Sequence, residues 1–455
     1  MQTLRARRFL AASCLVLANA AAGADVKVTI TDAQTGHVHP AGAPVAVQVT
    51  LTDPGVPGAR RVATWVGPRG EALNGPFELA PGTHALQSPG SEVGYYGLVF
   101  TSDHPQVAFP PQKAGHPSGE YGFAILEERA PERALDPTSM FGVVHGNPAD
   151  PRIGCGLKTL TWNSTGAQWW AQEIAERRAA GLEELPLVNG DGWDSDDAQP
   201  IPEWRLDEIA QKFRAYVEAE PTVTAWELGV EENLGGHYAE PYYFANLAAK
   251  AARLRAVADS VQPGIRFVYQ FEGFDHAELK QVLGSGALAE FQVLSIHPYR
   301  WKDFPEPEEW MGEHVRRVRS ILKQYGRGDM DLWITEVGLP VRGTTDPKGF
   351  FGYPAKKKYV PGATREHQAR HIVKVHAIAA ERRIERVFTY NYQNRGNDVD
   401  YAEHHFGMRS YTGDKTVMGH PLPSYLAYAT MVERLEGHET AGSSRPAPEA
   451  WASEL

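Results

Sequence analysis

Cysteine is almost missing from this chain: only Cys14 and Cys155 occur in 455 residues. Cys14 falls in a stretch that reads as a removable signal, so one thiol remains and no internal disulfide is expected. Also lacking is an apolar run of the ~20 residues a transmembrane helix needs. A basic excess is lacking too. Lys and Arg number 45 against 56 Asp and Glu, a formal charge of −11, so little is available to displace phosphate counterions and nucleic acid is not the expected partner. At 42% hydrophobic and 22% charged residues, the chain has the composition of an ordinary globular protein. Its length suits a barrel of roughly 250 to 300 residues plus a smaller module.

Residues 1–24 read as a secretory signal. Arg5, Arg7 and Arg8 supply a positive start, residues 9–17 an apolar run, and Ala22-Gly23-Ala24 a small-residue cleavage site. Arg7-Arg8-Phe9-Leu10 matches a twin-arginine signal only imperfectly. The apolar run continues past Cys14, which favours plain export, periplasmic or extracellular, over lipid anchoring there. Cys155, between Gly154 and Gly156 and without a His partner nearby in sequence, reads as a small buried hydrophobe.

From 25 to 130 the pattern is short alternating β-type runs, such as Val26-Lys27-Val28-Thr29-Ile30 and Tyr121-Gly122-Phe123-Ala124-Ile125-Leu126, separated by Gly and Pro turns. Strands so spaced, without a helical stretch, predict an antiparallel β-sandwich of immunoglobulin-like shape, more a brace than a binding module. A polar linker follows, and the pattern then alternates strands with amphipathic helices. Strands are expected at 140–145, 157–162, 185–189, 222–228, 266–271, 292–296, 331–335 and 387–392. Helices are expected at 169–180, 206–218, 242–260, 276–283, 307–325, 365–383 and 421–435. Eight strands and seven helices over 138–437 predict an α/β (β/α)₈ TIM barrel, its first strand connection too short for an ordinary helix. The tail, 438–455, reads as flexible.

Two strands end on carboxylates. Leu332-Trp333-Ile334-Thr335-Glu336 is apolar and β-favouring, and Gly338 and Pro340 then break it; Thr224-Ala225-Trp226-Glu227-Leu228-Gly229-Val230-Glu231-Glu232-Asn233 behaves likewise. Burying a carboxylate costs several kcal/mol unless something needs it there. The two Glu lie about three βα units of ~30 to 35 residues apart, which places them on strands four and seven, facing across the barrel mouth. Alternation puts Glu227, Gly229 and Glu231 on one face and Leu228, Val230 and Glu232 on the other, favouring Glu231 over Glu232 as the inward acid. Paired carboxylates are what glycoside hydrolysis uses: Glu336 as nucleophile and Glu231 as acid/base in a retaining mechanism at ~5 to 5.5 Å, or an inverting pair at ~6.5 to 9.5 Å.

These segments resemble retaining glycoside hydrolases of clan A, of the family 39 and family 5-like kind. Trp226 to Asn233 is similar to their strand-four segment Trp-Glu-x-Trp-Asn-Glu-Pro-Asn, and Ile334-Thr335-Glu336-Val337-Gly338 to the strand-seven nucleophile segment. Ser295-Ile296-His297-Pro298-Tyr299 resembles the strand-six motif, whose aromatic residue touches the nucleophile. Phe388-Thr389-Tyr390-Asn391-Tyr392 with Glu403-His404-His405-Phe406-Gly407-Met408 resembles strand eight and its loop. The resemblance covers about 140–435 and implies a (β/α)₈ glycosidase with acid/base Glu231 and nucleophile Glu336. Two departures stand out. Val230 replaces the clan's Asn, for which Asn233 or Asn391 are the stand-ins, and the usual strand-two Arg is missing, with Lys158 the nearest cation.

His297 and Tyr299 are expected to orient Glu336. His145 and Asn147 suit sugar hydroxyls, and Trp162, Trp193, Trp301 and Tyr390 offer flat faces to a sugar ring. Asp191, Asp194, Asp196 and Asp197 read as a solvated acidic loop, without the spacing of a calcium loop. Lys356-Lys357-Lys358 lies in a long connection after strand seven that suits a cleft cover. The expectation is an exported retaining glycosidase cleaving a poly- or oligosaccharide, with carbohydrate as its partner and no cofactor or metal. The rival reading is a catalytically degenerate barrel serving as a glycan-binding or envelope scaffold.

Overall fold

A computed structural model describes residues 24–436 except 33, 53–55, 57, 69–70, 105–106, 110–118, 128–138, 161–166, 189–196, 230, 232–236, 301–304, 342–349, 353–357, 361–362, 399–400 and 415–416. The predicted signal, linker and tail therefore lie largely outside the described residues, as do Val230, Glu232, Lys356 and Lys357.

Eight parallel strands close into a barrel: Phe141–Val144, Gly156–Leu160, Glu183–Val188, Ala225–Leu228, Arg266–Glu272, Val293–His297, Asp331–Val337 and Val387–Thr389. Each pairs with its sequence neighbours, and the eighth pairs with the first, Phe141 to Val387. The helices are Ala167–Ala179, Glu203–Ala219, Tyr243–Val261, His276–Gly284, Pro307–Gln324, Arg365–Glu381 and Pro423–Leu435. No helix separates the first two strands, as the short connection implied.

Local chemistry fixes these elements. Asp275 caps its helix by accepting from Ala277 N and Glu278 N, satisfying two of the four amides a helix start leaves unpaired. Pro307 opens the next helix, where its missing N–H costs nothing. That helix buries Trp310, Met311, His314, Val315, Val318, Ile321 and Leu322, the i, i+3, i+4 stripe of a helix lying on a sheet. Strands four to eight put Ala225, Val268, Val293, Trp333 and Phe388 into the barrel interior. Trp226 and Leu228 face the helical layer instead, beside Phe213, Leu247 and Leu254, the alternation a pleated strand imposes.

Before the barrel lie a three-stranded antiparallel sheet (Lys27–Asp32, Ala46–Thr52, Gly82–Gln87) and a five-stranded sheet (Val38–Pro40, Glu120–Leu126, Gly94–Ser102, Arg61–Val66, Ala72–Glu78). Val47, Val49, Trp65, Leu98, Phe100 and Phe123 of both sheets share one buried core, which is loosely a β-sandwich. It is not purely antiparallel, because Val38–Pro40 runs parallel to its partner. These sheets pack on the barrel. Arg365 Nη1 donates to Glu120 Oε1 at 2.9 Å, His37 stacks on His420 at 3.7 Å, and Arg409 Nη1 donates to Gly36 O at 2.7 Å. Gly122 meets Pro421 so closely that a Cβ would strike the Pro421 carbonyl oxygen.

Candidate active site

The seventh strand carries Thr335 and Glu336 to the C-terminal mouth of the barrel, where active sites of this fold lie. Strands seven and eight approach closely there: a Cβ on Gly338 would overlap the Tyr390 carbonyl, so the glycine after Glu336 is a packing requirement. Lys158 Nζ on strand two lies 2.9 Å from Glu336 Oε1, and the Tyr299 hydroxyl donates to Oε2 at 3.2 Å. Burial pushes the Glu336 carboxyl up, but Lys158, aided by His297 and His145, more than reverses this and holds it down at about 2. Glu336 is thus an ionised, partly exposed carboxylate, which is the form a nucleophile needs.

Glu231 stands just past strand four. Its φ of +43° is left-handed, a conformation that costs a non-glycine residue on the order of 1 to 3 kcal/mol and is held only where neighbours fix it. They do so here: Glu231 N donates to Gln270 Oε1 at 3.1 Å, and Glu231 Oε1 lies 2.7 Å from His297 Nδ1. Side-chain ligand atoms of Glu231, His297 and Glu336 all lie within 4.8 Å of one another. These three residues have donor types that suit a cation, yet the Lys158 ammonium already lies against Glu336.

Beneath the pair is a buried polar layer. Glu227, fully buried, lies with Oε2 2.8 Å from Lys158 Nζ and accepts from the Thr335 hydroxyl with Oε1. Thr335 Oγ1 is also 2.8 Å from His297 Nε2 and 2.5 Å from Ser295 Oγ. Lys158, 2% exposed, thus bridges two carboxylates. Their attraction raises its pKa even though burial alone would lower it.

The structure brings Glu231, Glu336, His297 and Tyr299 together; the direct hydrogen bond of the His297 ring is shared with Glu231, while its action on Glu336 is through charge. Thr335 holds its other nitrogen and so aims Nδ1 at strand four. His145 also sits in the left-handed region, at φ +57°, and its amide donates to Lys158 O at 3.1 Å. Asn147 Oδ1 accepts from Ala149 N at 3.0 Å, a turn contact. The Tyr390 hydroxyl donates to Glu403 Oε2 at 2.8 Å, and Arg395 Nη1 donates to the Tyr390 oxygen at 3.3 Å. Both polar side-chain atoms of Asn391 are sealed from solvent and have no partner among the described residues. Trp162, Trp193, Asn233 and Trp301 lie outside the described residues. Asp197 is not solvated: it is buried and accepts from Asn246 Nδ2 at 2.8 Å.

The sequence reading did not assign roles to Thr335, Gln270, Arg395 or Glu403. Thr335 had a visible signal: it lies two residues after Trp333, which faces into the barrel, and strand alternation puts both on one face. Contacts with Gln270 and Glu403 are set by which strands become neighbours, and no local pattern shows that.

No protein-family model matches the chain, and no curated protein matches it. Among solved structures, a β-glucosidase from Thermotoga maritima in complex with castanospermine is 12% identical, with TM-score 0.43 over 61% of this chain and 82% of that one. The Ignisphaera aggregans GH53 catalytic domain is 13% identical, with TM-score 0.44 over 65% and 98%. A glucosidase from Croceicoccus marinus is 12% identical, with TM-score 0.41 over 64% and 56%. Likenesses this distant bear on no activity. The barrel rests on its own closed strand order.

Proposed function

We propose that this chain is an exported glycoside hydrolase that cleaves a poly- or oligosaccharide with retention of configuration, Glu336 acting as nucleophile and Glu231 as acid/base. One observation carries the reading: carboxylate oxygens from strand seven and from the end of strand four lie within 4.8 Å of each other at the barrel mouth. A nearest-oxygen spacing this short favours the ~5 to 5.5 Å of a retaining pair over the ~6.5 to 9.5 Å of an inverting one. A Glu336 oxygen attacks the anomeric carbon while the glycosidic C–O bond breaks and Glu231 gives its proton to the leaving oxygen. Water, deprotonated by Glu231, then attacks the same carbon, and Glu336 leaves as carboxylate. Tyr299 and Lys158 hold the nucleophile in register, and the aromatic wall of Tyr299, Tyr390 and Phe406 suits a sugar ring. In this reading the N-terminal sheets, a sandwich of immunoglobulin-like shape, brace the barrel, and residues 1–24 direct export.

The test is release of reducing sugar from a panel of glycans by the wild type, E336Q and E231Q. Turnover should fall by about 10³-fold or more in E336Q, as when other enzymes lose a nucleophile that acts as part of a unit. Equal turnover by E336Q removes Glu336 as nucleophile.

A further inference from the structure

An unbroken chain of polar contacts runs beneath the two carboxylates: Glu336 to Lys158, Lys158 to Glu227, Glu227 to Thr335, Thr335 to His297, and His297 to Glu231. Its directions can be worked out from donor counting. The Glu227 carboxylate, against the Lys158 ammonium, accepts only. The single Thr335 hydroxyl proton therefore goes to Glu227. The Thr335 oxygen is left to accept from Ser295, which has no other acceptor among the described residues, and from His297 Nε2. With Nε2 as donor, His297 Nδ1 and Glu231 Oε1, 2.7 Å apart, must hold one proton between them. When His297 is neutral, that proton sits on Glu231.

We propose that Glu227 is a positioning residue which, through Thr335 and His297, holds one proton between His297 Nδ1 and Glu231 Oε1, so that whenever the ring is neutral Glu231 carries the proton a general acid needs. This rests on the role given to Glu231 above. Other titratable and charged groups around the Glu231–His297 pair are Glu336, Lys158, Tyr299 and His145, with Tyr390, Glu403 and Arg395 on the strand-eight side. None of these sets the direction of the Thr335 hydroxyl. Only Glu227 and Ser295 among the described residues share that hydroxyl with His297.

In Glu227→Gln the amide oxygen turns to the donor-only Lys158 and the amide nitrogen donates to Thr335. The Thr335 proton then swings to His297 Nε2, Nδ1 carries the hydrogen, and Glu231 is favoured as carboxylate. Loss of the Glu227 charge alone would act in the same direction, so Thr335→Val, which keeps that charge and removes the hydroxyl, separates the two effects.

The experiment uses full-length protein labelled with ¹⁵N-histidine, His297 being assigned by His297→Gln. In ligand-free wild type and Thr335→Ser, Nε2 should be protonated; in Glu227→Gln and Thr335→Val, the neutral ring should carry its hydrogen on Nδ1. In parallel, the basic limb of the pH profile of kcat/KM should move down by about one pH unit in Glu227→Gln and Thr335→Val and stay in place in Thr335→Ser. A wild-type ring with hydrogen on Nδ1 alone, or a Thr335→Val protein with wild-type tautomer and limb, overturns the inference. If no glycan is turned over, the glycosidase reading fails by itself and the tautomers still decide this one.

Discussion

Replacing Lys158 with Met takes away a cation held 2.8 Å from Glu227 and 2.9 Å from Glu336. At an effective dielectric of ~20, each contact is worth about 6 kcal/mol of Coulomb attraction. Burying the ammonium offsets much of that. Removing one member of a buried pair costs about 3 to 5 kcal/mol because the remaining charge is stranded, or roughly 3 to 8 °C in Tm for an unfolding unit of ~300 to 455 residues. The pH dependence is more diagnostic than the size. Glu336 is held at about 2 in the fold against an ordinary 4.5, so its ionisation contributes about 3 kcal/mol. That contribution is complete above the unfolded pKa and is lost as pH falls through the folded one. The assay is thermal unfolding of wild type and K158M from pH 8 down to 2. The Tm difference should be largest at pH 7 and shrink as pH falls to about 2, starting above 4.5, where burial makes the stranded carboxylates of K158M take up protons, and ending where wild-type Glu336 does. A difference constant across that window refutes the claim that Lys158 holds Glu336 ionised.

Two further outcomes can be checked. Gly338→Ala should lower Tm and depress kcat without a matching rise in KM, because strands seven and eight must part at the nucleophile to admit a methyl group; unchanged Tm and kcat would show that the approach is not tight. Arg409→Met should cost about 3 to 5 kcal/mol in denaturant unfolding, since it strands Asp150, which is 2% exposed and 2.9 Å from Arg409 Nη2. It should leave activity well below Tm intact, and inactivation without loss of stability would contradict a purely structural role.

Much of the barrel was legible in the sequence because its signals are local. Runs such as Asp331–Val337 and stripes such as Trp310, Val315, Val318 and Leu322 announce period 2 and period 3.6 by themselves. The meeting of Glu231 with Glu336 was legible at one remove, through the rule that barrel strands deliver their ends to one mouth. Lys158 was visible only as the nearest cation; its place between two carboxylates depends on how far strands two, four and seven are staggered. His297 was legible as a strand-end neighbour of Glu336, but its hydrogen bond with Glu231 was not, because the Thr335 contact that turns its ring comes from another strand. The parallel pairing of Val38–Pro40 was illegible for a similar reason: a three-residue strand carries no mark of its neighbour's direction.

As nucleophile, Glu336 must form a covalent bond to sugar. Incubating the wild type with a panel of 2-fluoro glycosides bearing good leaving groups, then mapping the modified peptide by mass spectrometry, tests that directly. One fluoroglycosyl group should be found on Glu336, with none in K158M or E336Q under the same conditions. A label on Glu231, or burst-free turnover by inversion with no adduct on any carboxylate, would contradict it.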